Sequence, residues 1–327
     1  MGLTVAVTGP TGEIGMSAVQ ALEGLDEVDE IVGMARRPFD AAAQGWSKTR
    51  YQQGDILDRD AVDALVADAD VVIHLAFIIM GSREESARVN LAGTRNVFEA
   101  TVAAARPHRL VYTSSVAAYG YHSDNPVPIT ETVPPRGSPE HYYSEQKAEC
   151  EAALAEITGG TPLQVYVLRP CIVAGPKAPA LADAMPWNQL PGPVRRITQM
   201  LPLLKPPFPD PGTPLQLVHH DDVATAIALA ATTSAPSGAY NIAGDGVVSM
   251  SELARALGAR PVPVPRAAAT VASDVIARLP FVPSVLEWLH VGRTSVVMDT
   301  TKAMAELGWK PKYTAAETLS ALASSRS

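Results

Sequence analysis

The chain has 327 residues, 47% of them hydrophobic and 18% charged, with a formal net charge of −8. That length and apolar content allow a large core plus a second lobe, and they argue against disorder. The acidic balance, with no block of Lys and Arg, argues against a phosphate-backbone binder, so a small molecule rather than nucleic acid is the expected partner.

The N-terminus opens directly into Leu3-Thr4-Val5-Ala6-Val7. With no basic leader and no long apolar core, it is not read as a signal peptide. No apolar run reaches the roughly 18–20 residues of a membrane helix, so no membrane partner is expected. The 2 cysteines, Cys150 and Cys171, do not make a disulfide framework, and a reducing cytoplasm is the expected location.

Short apolar runs predict strands over 5–7, 31–34, 71–73, 110–112 and 163–168. Helical patterns fall between them, over 14–22, 60–67, 89–105 and about 142–157. Short continuous apolar strands between helices predict parallel strands covered on both faces. The expected fold is therefore α/β, a doubly wound parallel (Rossmann) sheet with a smaller C-terminal substrate-binding lobe. The dinucleotide-binding domain is placed at 1–175, with a strand and helix returning near 215–232, and the lobe mainly at 176–327.

Between Pro186 and Pro214 the chain is dense in proline, which removes backbone donors and fixes φ, so no single regular element is expected there. It reads either as a surface linker or as a cap over the substrate; interleaved Met185, Trp187, Leu204 and Phe208 favour the cap. Short helices are expected over 251–257, 301–307 and about 315–322.

Thr8-Gly9-Pro10-Thr11-Gly12-Glu13-Ile14-Gly15 joins the first strand to the first helix. Gly9 permits a tight turn, Gly12 lets backbone N–H groups approach a pyrophosphate, and Gly15 lets helix and strand pack closely. The helix N-terminus adds unsatisfied donors and a positive dipole end. Gly9, Thr11, Gly12, Glu13 and Ile14 are the candidate cofactor contacts of this loop.

At the end of the second strand, Ala35 stands where an acidic residue would hold the ribose 2′-hydroxyl of NAD. Arg36 and Arg37 follow, and a guanidinium fork suits a 2′-phosphate. NADP is therefore expected in preference to NAD, with Arg36 as its contact. Asp55 and Ile56 lie where an adenine ring would be met, or Asp55 simply closes a turn.

Tyr143 and Lys147 lie one helical turn apart on a shared face. A nearby ammonium stabilises a phenolate, which would make Tyr143 a usable general acid/base at a carbonyl or alcohol. Ser115 follows a strand whose C-terminal end would line the ligand crevice.

Together with Thr8-Gly9-x-x-Gly12-x-x-Gly15, His74-Leu75-Ala76, Asn90-x-x-Gly93-Thr94, Ser114-Ser115-x-x-x-Tyr119-Gly120, Leu168-Arg169-Pro170 and Val218-His219-x-Asp221-Asp222-Val223-Ala224, these residues resemble the extended short-chain dehydrogenase/reductases, also called the NAD-dependent epimerase/dehydratase family. The resemblance runs from about residue 3 to residue 322. It implies that Tyr143 is the general acid/base, that Lys147 lowers its pKa and holds the nicotinamide ribose, and that Ser115 orients the substrate oxygen. It also implies that Leu75 and Ala76 line the cofactor groove and that Pro170 lies near the nicotinamide. Gln146 departs from the Ser or Thr common before the lysine, and Phe77 from a common alanine. A homodimer is common in the family and stays open here.

Nucleotide-sugar members usually carry an arginine shortly before the histidine matching His219, where this chain has Leu215, and another near Trp288 and Leu289, where none stands. Losing cationic anchors for a diphosphate argues against such a substrate, although Arg195, Arg196 or Arg293 could substitute. Phe77, Ile78, Ile79, Met80, Met185 and Trp187 are the expected pocket residues, suited to an apolar carbonyl or alcohol, and each could equally pack the two lobes together.

The expected reaction is hydride transfer between NADP(H) or NAD(H) and such a substrate. The alternatives are a nucleotide-sugar epimerase or dehydratase, and a non-enzymatic dinucleotide sensor. His219-His220-Asp221-Asp222 has metal-ligand residue types, but side chains alternating along a strand would separate them, so no metal site is expected. Asp222 is expected to cap a helix over 223–231. His74 and Cys171 are expected to be core residues.

Overall fold

A computed structural model of the chain describes residues 2–79, 83–183, 185, 205–265 and 294–325. Strands and helices alternate as β1 (Leu3–Thr8), α1 (Glu13–Glu23), β2 (Val28–Ala35), β3 (Thr49–Gln53), α2 (Arg59–Val66), β4 (Val71–His74), α3 (Arg83–Ala87), α4 (Thr94–Ala103), β5 (Arg109–Thr113), α5 (Tyr142–Thr158) and β6 (Gln164–Pro170). There follow β7 (Ile172–Ala174), α6 (Ala180–Asp183), β8 (Pro207–Asp210), β9 (Pro214–Leu215), β10 (Leu217–His219), α7 (His220–Thr232) and β11 (Gly238–Ile242). The last described elements are β12 (Val248–Ser249), α8 (Met250–Ala256), β13 (Arg260–Pro263), α9 (Thr301–Glu306) and α10 (Ala315–Ser324).

The central sheet has seven strands in the order β11-β6-β5-β4-β1-β2-β3. Every pairing in it is parallel. Alternation along each strand decides which helices cover which face. Val5 and Val7 join Val71, Ile73 and Val111 on one face, under Val19 and Leu22 of α1 and Val223 and Ile227 of α7. Ala6, Val72, Leu110 and Tyr112 point the other way, against Val62 of α2, Val97 and Phe98 of α4 and Leu154 of α5. The strand order reverses between β1 and β4, which opens a crevice at their C-terminal ends.

Of the strand and helix expected to return near 215–232, the helix α7 does pack on the central sheet, but the strand does not join it. β10 pairs with β7 outside the central sheet, α7 covers α1, and the strand that rejoins the sheet is β11. The helix expected over 89–105 is broken by a π-helical turn at Arg88–Gly93. Asn90 sits in that turn. Its amide accepts from Ile78 N at 2.8 Å and donates to Ile78 O at 2.9 Å and to Gln146 Oε1 at 2.8 Å. Wide turns of this kind cluster at functional sites, and here one ties the loop after β4 to the helix carrying Tyr143 and Lys147.

A further apolar cluster joins Leu181 and Met185 to Leu215, Leu217, Val248, Met250, Leu253, Leu319 and Leu322. Reciprocal capping boxes, Ser249 with Glu252 and Thr314 with Glu317, start α8 and α10 over it. Part of the proline-rich stretch is a strand after all: β8 runs parallel to β13. Arg260 N donates to Pro206 O and Val264 N to Asp210 O, so the ladder draws its donors from positions that are not proline. Residues 186–204, where the cap was expected, lie outside the described residues.

Candidate active site

The glycine loop leaves β1 at the crevice. Gly9 has φ +73°, and a Cβ there would come within 2.8 Å of Ala76 N, so only glycine lets the loop lie against the end of β4. A Cβ on Gly15 would fall 2.1 Å from Gly9 O, so α1 packs directly on its own entry turn. Gly12 is exposed, and a Cβ there would meet nothing closer than Gly9 O at 3.5 Å, leaving the first turn of α1 open to a ligand. Thr8 Oγ1 accepts from Leu75 N and Ala76 N, each at 3.3 Å, which locks the two loops flanking the crevice together.

His74 braces this junction. Its Nδ1 meets Thr8 Oγ1 at 2.7 Å and its Nε2 meets Thr94 Oγ1 at 2.9 Å, as a satisfied core histidine should. Burial, and then the Lys147 charge, lower its pKa from 6.5 to about 3. The unfolded chain therefore takes up this proton first. Stability is whole above pH 6.5 and falls as pH drops through the window down to about 3. His74 alone is expected to remove about 2 kcal/mol of unfolding free energy on going from pH 7 to pH 5. Urea titrations at both pH values check this: His74→Gln should lose that part of the slope, while His219 and His220, also lowered by burial, keep theirs.

A cavity of about 380 Å³ opens beside the crevice. Gly12, Glu13, Ile14, Leu75, Ser115, Tyr143, Lys147 and Pro170 all line it, so expected cofactor and catalytic residues from five separate stretches of sequence converge there. Ser115 caps the short 3-10 turn at Val116–Tyr119, its Oγ accepting from Ala117 N at 3.2 Å. Tyr143 stands at the start of α5, where His141 caps the helix through its Nδ1. Burial raises the Tyr143 pKa, and the hydrogen bond with Ser115 opposes that rise.

The expectation that Lys147 lowers the Tyr143 pKa is corrected by where the ammonium points. Lys147 Nζ donates to Thr113 O at 2.9 Å and lies 3.6 Å from the Phe77 ring centroid, but 6.0 Å from that of Tyr143. Its own pKa is lowered by burial to about 8.

The other expected site residues take varied places. Met185 is buried in the C-terminal apolar cluster and is absent from the cavity wall. Met80 and Trp187 lie outside the described residues. Asp55 accepts from Leu57 N at 3.0 Å in its own turn, and Ile56 is buried against Gly93. Thr11 is half-buried beside Gly12. Glu13 accepts from Ala180 N at 2.8 Å, so its carboxylate fastens the glycine loop to α6. Arg36 is exposed just past β2, where Gln53 Nε2 holds its carbonyl at 2.9 Å, and no carboxylate pairs with its guanidinium among the described residues.

Several site residues were not legible as such. Tyr121, His141, Leu181 and Val296 line the cavity from loops and from α6. Glu151, one turn past Lys147, bridges Ser114 Oγ at 2.6 Å and Arg169 Nη2 at 2.5 Å. Arg169 then donates to Tyr119 Oη at 2.8 Å, and Tyr119 to Asn241 Oδ1 at 2.7 Å. This buried chain fixes β5, α5, β6 and β11 to one another beneath the site. Its one sequence signal was a Glu one turn beyond the Lys on a helix facing an Arg-Pro strand.

His219, His220 and Asp221 do gather, with their ligand atoms within 4.8 Å of one another. Strand alternation does not separate them, because β10 ends at His219 and α7 begins at His220. Their nitrogens are engaged locally: His219 Nδ1 accepts from Asp221 N at 3.2 Å, His220 Nδ1 meets Ser17 Oγ at 2.9 Å, and His220 Nε2 accepts from Lys177 N at 3.2 Å. The helix cap is thus His219, not Asp222. Asp222 instead accepts from Lys312 N at 2.8 Å and Tyr313 N at 3.1 Å, clamping the turn before α10.

A nicotinamide dinucleotide fits these residues. The first turn of α1 offers free backbone donors at an open glycine. Thr113 Oγ1, on the cavity wall, is buried without a hydrogen-bond partner among the described residues, as expected of a group that meets a ligand.

Sheet order, glycine loop and the Ser-Tyr-Lys convergence define a Rossmann-type protein of the extended short-chain dehydrogenase/reductase class. The model of the NAD dependent epimerase/dehydratase family matches residues 5–243, and the chain belongs to that family. An uncharacterized protein of Sinorhizobium fredii is 28% identical over 289 residues, covering 85% of this chain and 68% of that protein. Human 3 beta-hydroxysteroid dehydrogenase type 7 is 36% identical over 135 residues, 38% of this chain and 36% of that enzyme. The structure of MoeE5 in complex with UDP-glucuronic acid and NAD is similar in fold, with TM-score 0.72 and 22% identity over 99% of both chains. No helix among the described residues is long and apolar enough to cross a membrane.

Proposed function

We propose that this chain transfers hydride between a nicotinamide dinucleotide and an apolar ketone, aldehyde or secondary alcohol. The observation that carries this reading is the cavity wall: Ile79, Ile172, Val173, Leu181, Leu215 and Val296 line it together with Ser115 and Tyr143. Among the described residues lining the cavity, Lys147 is the sole Lys or Arg. A diphosphate would find no second cation among those described residues, whereas an apolar molecule with one oxygen is well matched to them.

The bound cofactor supplies or accepts the hydride. Gly9, Thr11, Gly12, Glu13 and Ile14 would hold its pyrophosphate, chiefly through backbone N–H groups, since the Glu13 carboxylate is committed to Ala180. Leu75, Ala76 and Pro170 would border the nicotinamide half, and Asp55 and Ile56 the adenine. In reduction, Ser115 positions the substrate oxygen and Tyr143 delivers its proton there. Lys147 would hold the nicotinamide ribose.

NADP is the proposed preference, on the basis of Ala35 at the end of β2 and the unpaired, exposed Arg36 beyond it. Arg36→Ala should raise the KM for NADPH by about 10–100-fold and leave that for NADH nearly unchanged, because a charge-assisted phosphate contact is worth about 1.5–3 kcal/mol. Equal losses with both cofactors would remove the assignment.

Membership of the epimerase/dehydratase family, with likeness to MoeE5 in its complex with UDP-glucuronic acid and NAD, favours a second reading, a nucleotide-sugar epimerase or dehydratase. The two separate in one assay: NADPH and NADH oxidation with a panel of apolar aldehydes and ketones, beside nucleotide sugars incubated without added cofactor. Turnover of the apolar carbonyls supports the reductase. Conversion of a nucleotide sugar alone replaces it with the epimerase.

A further inference from the structure

Phe77 lies in the loop after β4 and touches both members of the Tyr-Lys pair. The Lys147 ammonium sits 3.6 Å from its ring centroid, and the Tyr143 ring meets Phe77 edge to face at 5.6 Å and 89°. We propose that Phe77 is a positioning residue, its face holding the Lys147 charge and its perpendicular packing fixing the Tyr143 ring. This rests on the reading of Tyr143 and Lys147 as the catalytic pair.

The physical case lies in how the charge is surrounded. Lys147 is 3% exposed, and a buried ammonium needs compensation. From β5 it receives the Thr113 carbonyl at 2.9 Å and the Tyr112 hydroxyl at 3.4 Å. From its own helix it faces Tyr143, Cys150 and Glu151, and from β4 the neutral His74. Glu151 is already held by Arg169 at 2.5 Å, so no free carboxylate answers the ammonium. The Phe77 π-face supplies the remaining stabilisation, in the geometry of a close cation–π contact. An alanine there would leave the ammonium without it and the Tyr143 ring without its edge contact.

The test follows the Lys147 side chain itself. In the full-length protein with 13Cε-labelled lysine, the Lys147 resonance is identified by its loss in Lys147→Met and titrated by NMR. Phe77→Leu and Phe77→Met keep apolar bulk without a π-face, and Phe77→Tyr keeps the face. The first two should lower the Lys147 pKa by about one unit, a tenfold loss of proton affinity, and Phe77→Tyr should not. The alkaline limb of kcat should move to lower pH in the same two variants and stay in place in Phe77→Tyr. An unmoved Lys147 titration in Leu and Met, or an equal shift in all three, overturns the proposal. The titration needs no substrate, so a chain inactive on every carbonyl would refute the proposed function while leaving this result to stand or fall separately.

Discussion

Tyr143→Phe is expected to lower kcat by about 10²–10⁴-fold while leaving the dissociation constant for NADPH unchanged. The hydroxyl removed is the one beside Ser115 at the cavity wall, and the ring that remains still meets Phe77 edge to face. Packing around the substitution is therefore preserved, and only the proton donor is lost. Because burial raises the Tyr143 pKa, the phenol is protonated through neutral pH, which suits it to give its proton to a carbonyl oxygen during reduction. Single-turnover kinetics of NADPH oxidation and fluorescence titration of NADPH binding measure the two quantities separately. Retained turnover would remove Tyr143 from the chemistry, and lost binding would make it a cofactor contact instead.

The second large effect is on stability. Glu151→Gln is expected to cost about 3–5 kcal/mol, because it leaves the buried Arg169 guanidinium facing a neutral amide. Glu151 and Arg169 are only 6% and 5% exposed in their side chains, so water cannot replace the lost partner. Ser114 Oγ loses a charged acceptor as well. The pair Glu151→Leu with Arg169→Met should cost clearly less than Glu151→Gln alone, since both charges then leave together. Guanidinium unfolding of the three proteins checks the order. If Glu151→Gln proves nearly neutral, the bridge is not what ties β6 to α5. Turnover should fall with Glu151→Gln beyond what unfolding explains, since Ser115 and Lys147 stand on the elements this chain fixes.

Much of the site was legible because its signals are local. The glycines of the loop answer backbone demands within one turn, and Tyr143 and Lys147 share one helix. The misread residues are those whose role depends on distant neighbours. Asp222 has the composition and place of a helix cap, yet its carboxylate is taken by Lys312 and Tyr313 from the far end of the chain. Met185 looked like a pocket residue by its setting among prolines, but its burial is decided by Leu215, Val248 and Met250, contributed by two other segments. The direction of the Lys147 ammonium depended on a ring following β4 and a carbonyl on β5, neither of which a helix pattern can report.

The sequence by itself determined the α/β alternation, the doubly wound sheet, the glycine loop and the chemical identities of the Ser-Tyr-Lys residues, because periodicity and backbone sterics act over a few residues. Only the tertiary structure decided which strand closes the sheet, which apolar residues face the cavity rather than the lobe core, and where the buried charges of Lys147, Glu151 and Arg169 find partners. Those outcomes depend on packing and on electrostatics in a region without water, where the group that satisfies a charge is set by distance in space and not by distance along the chain.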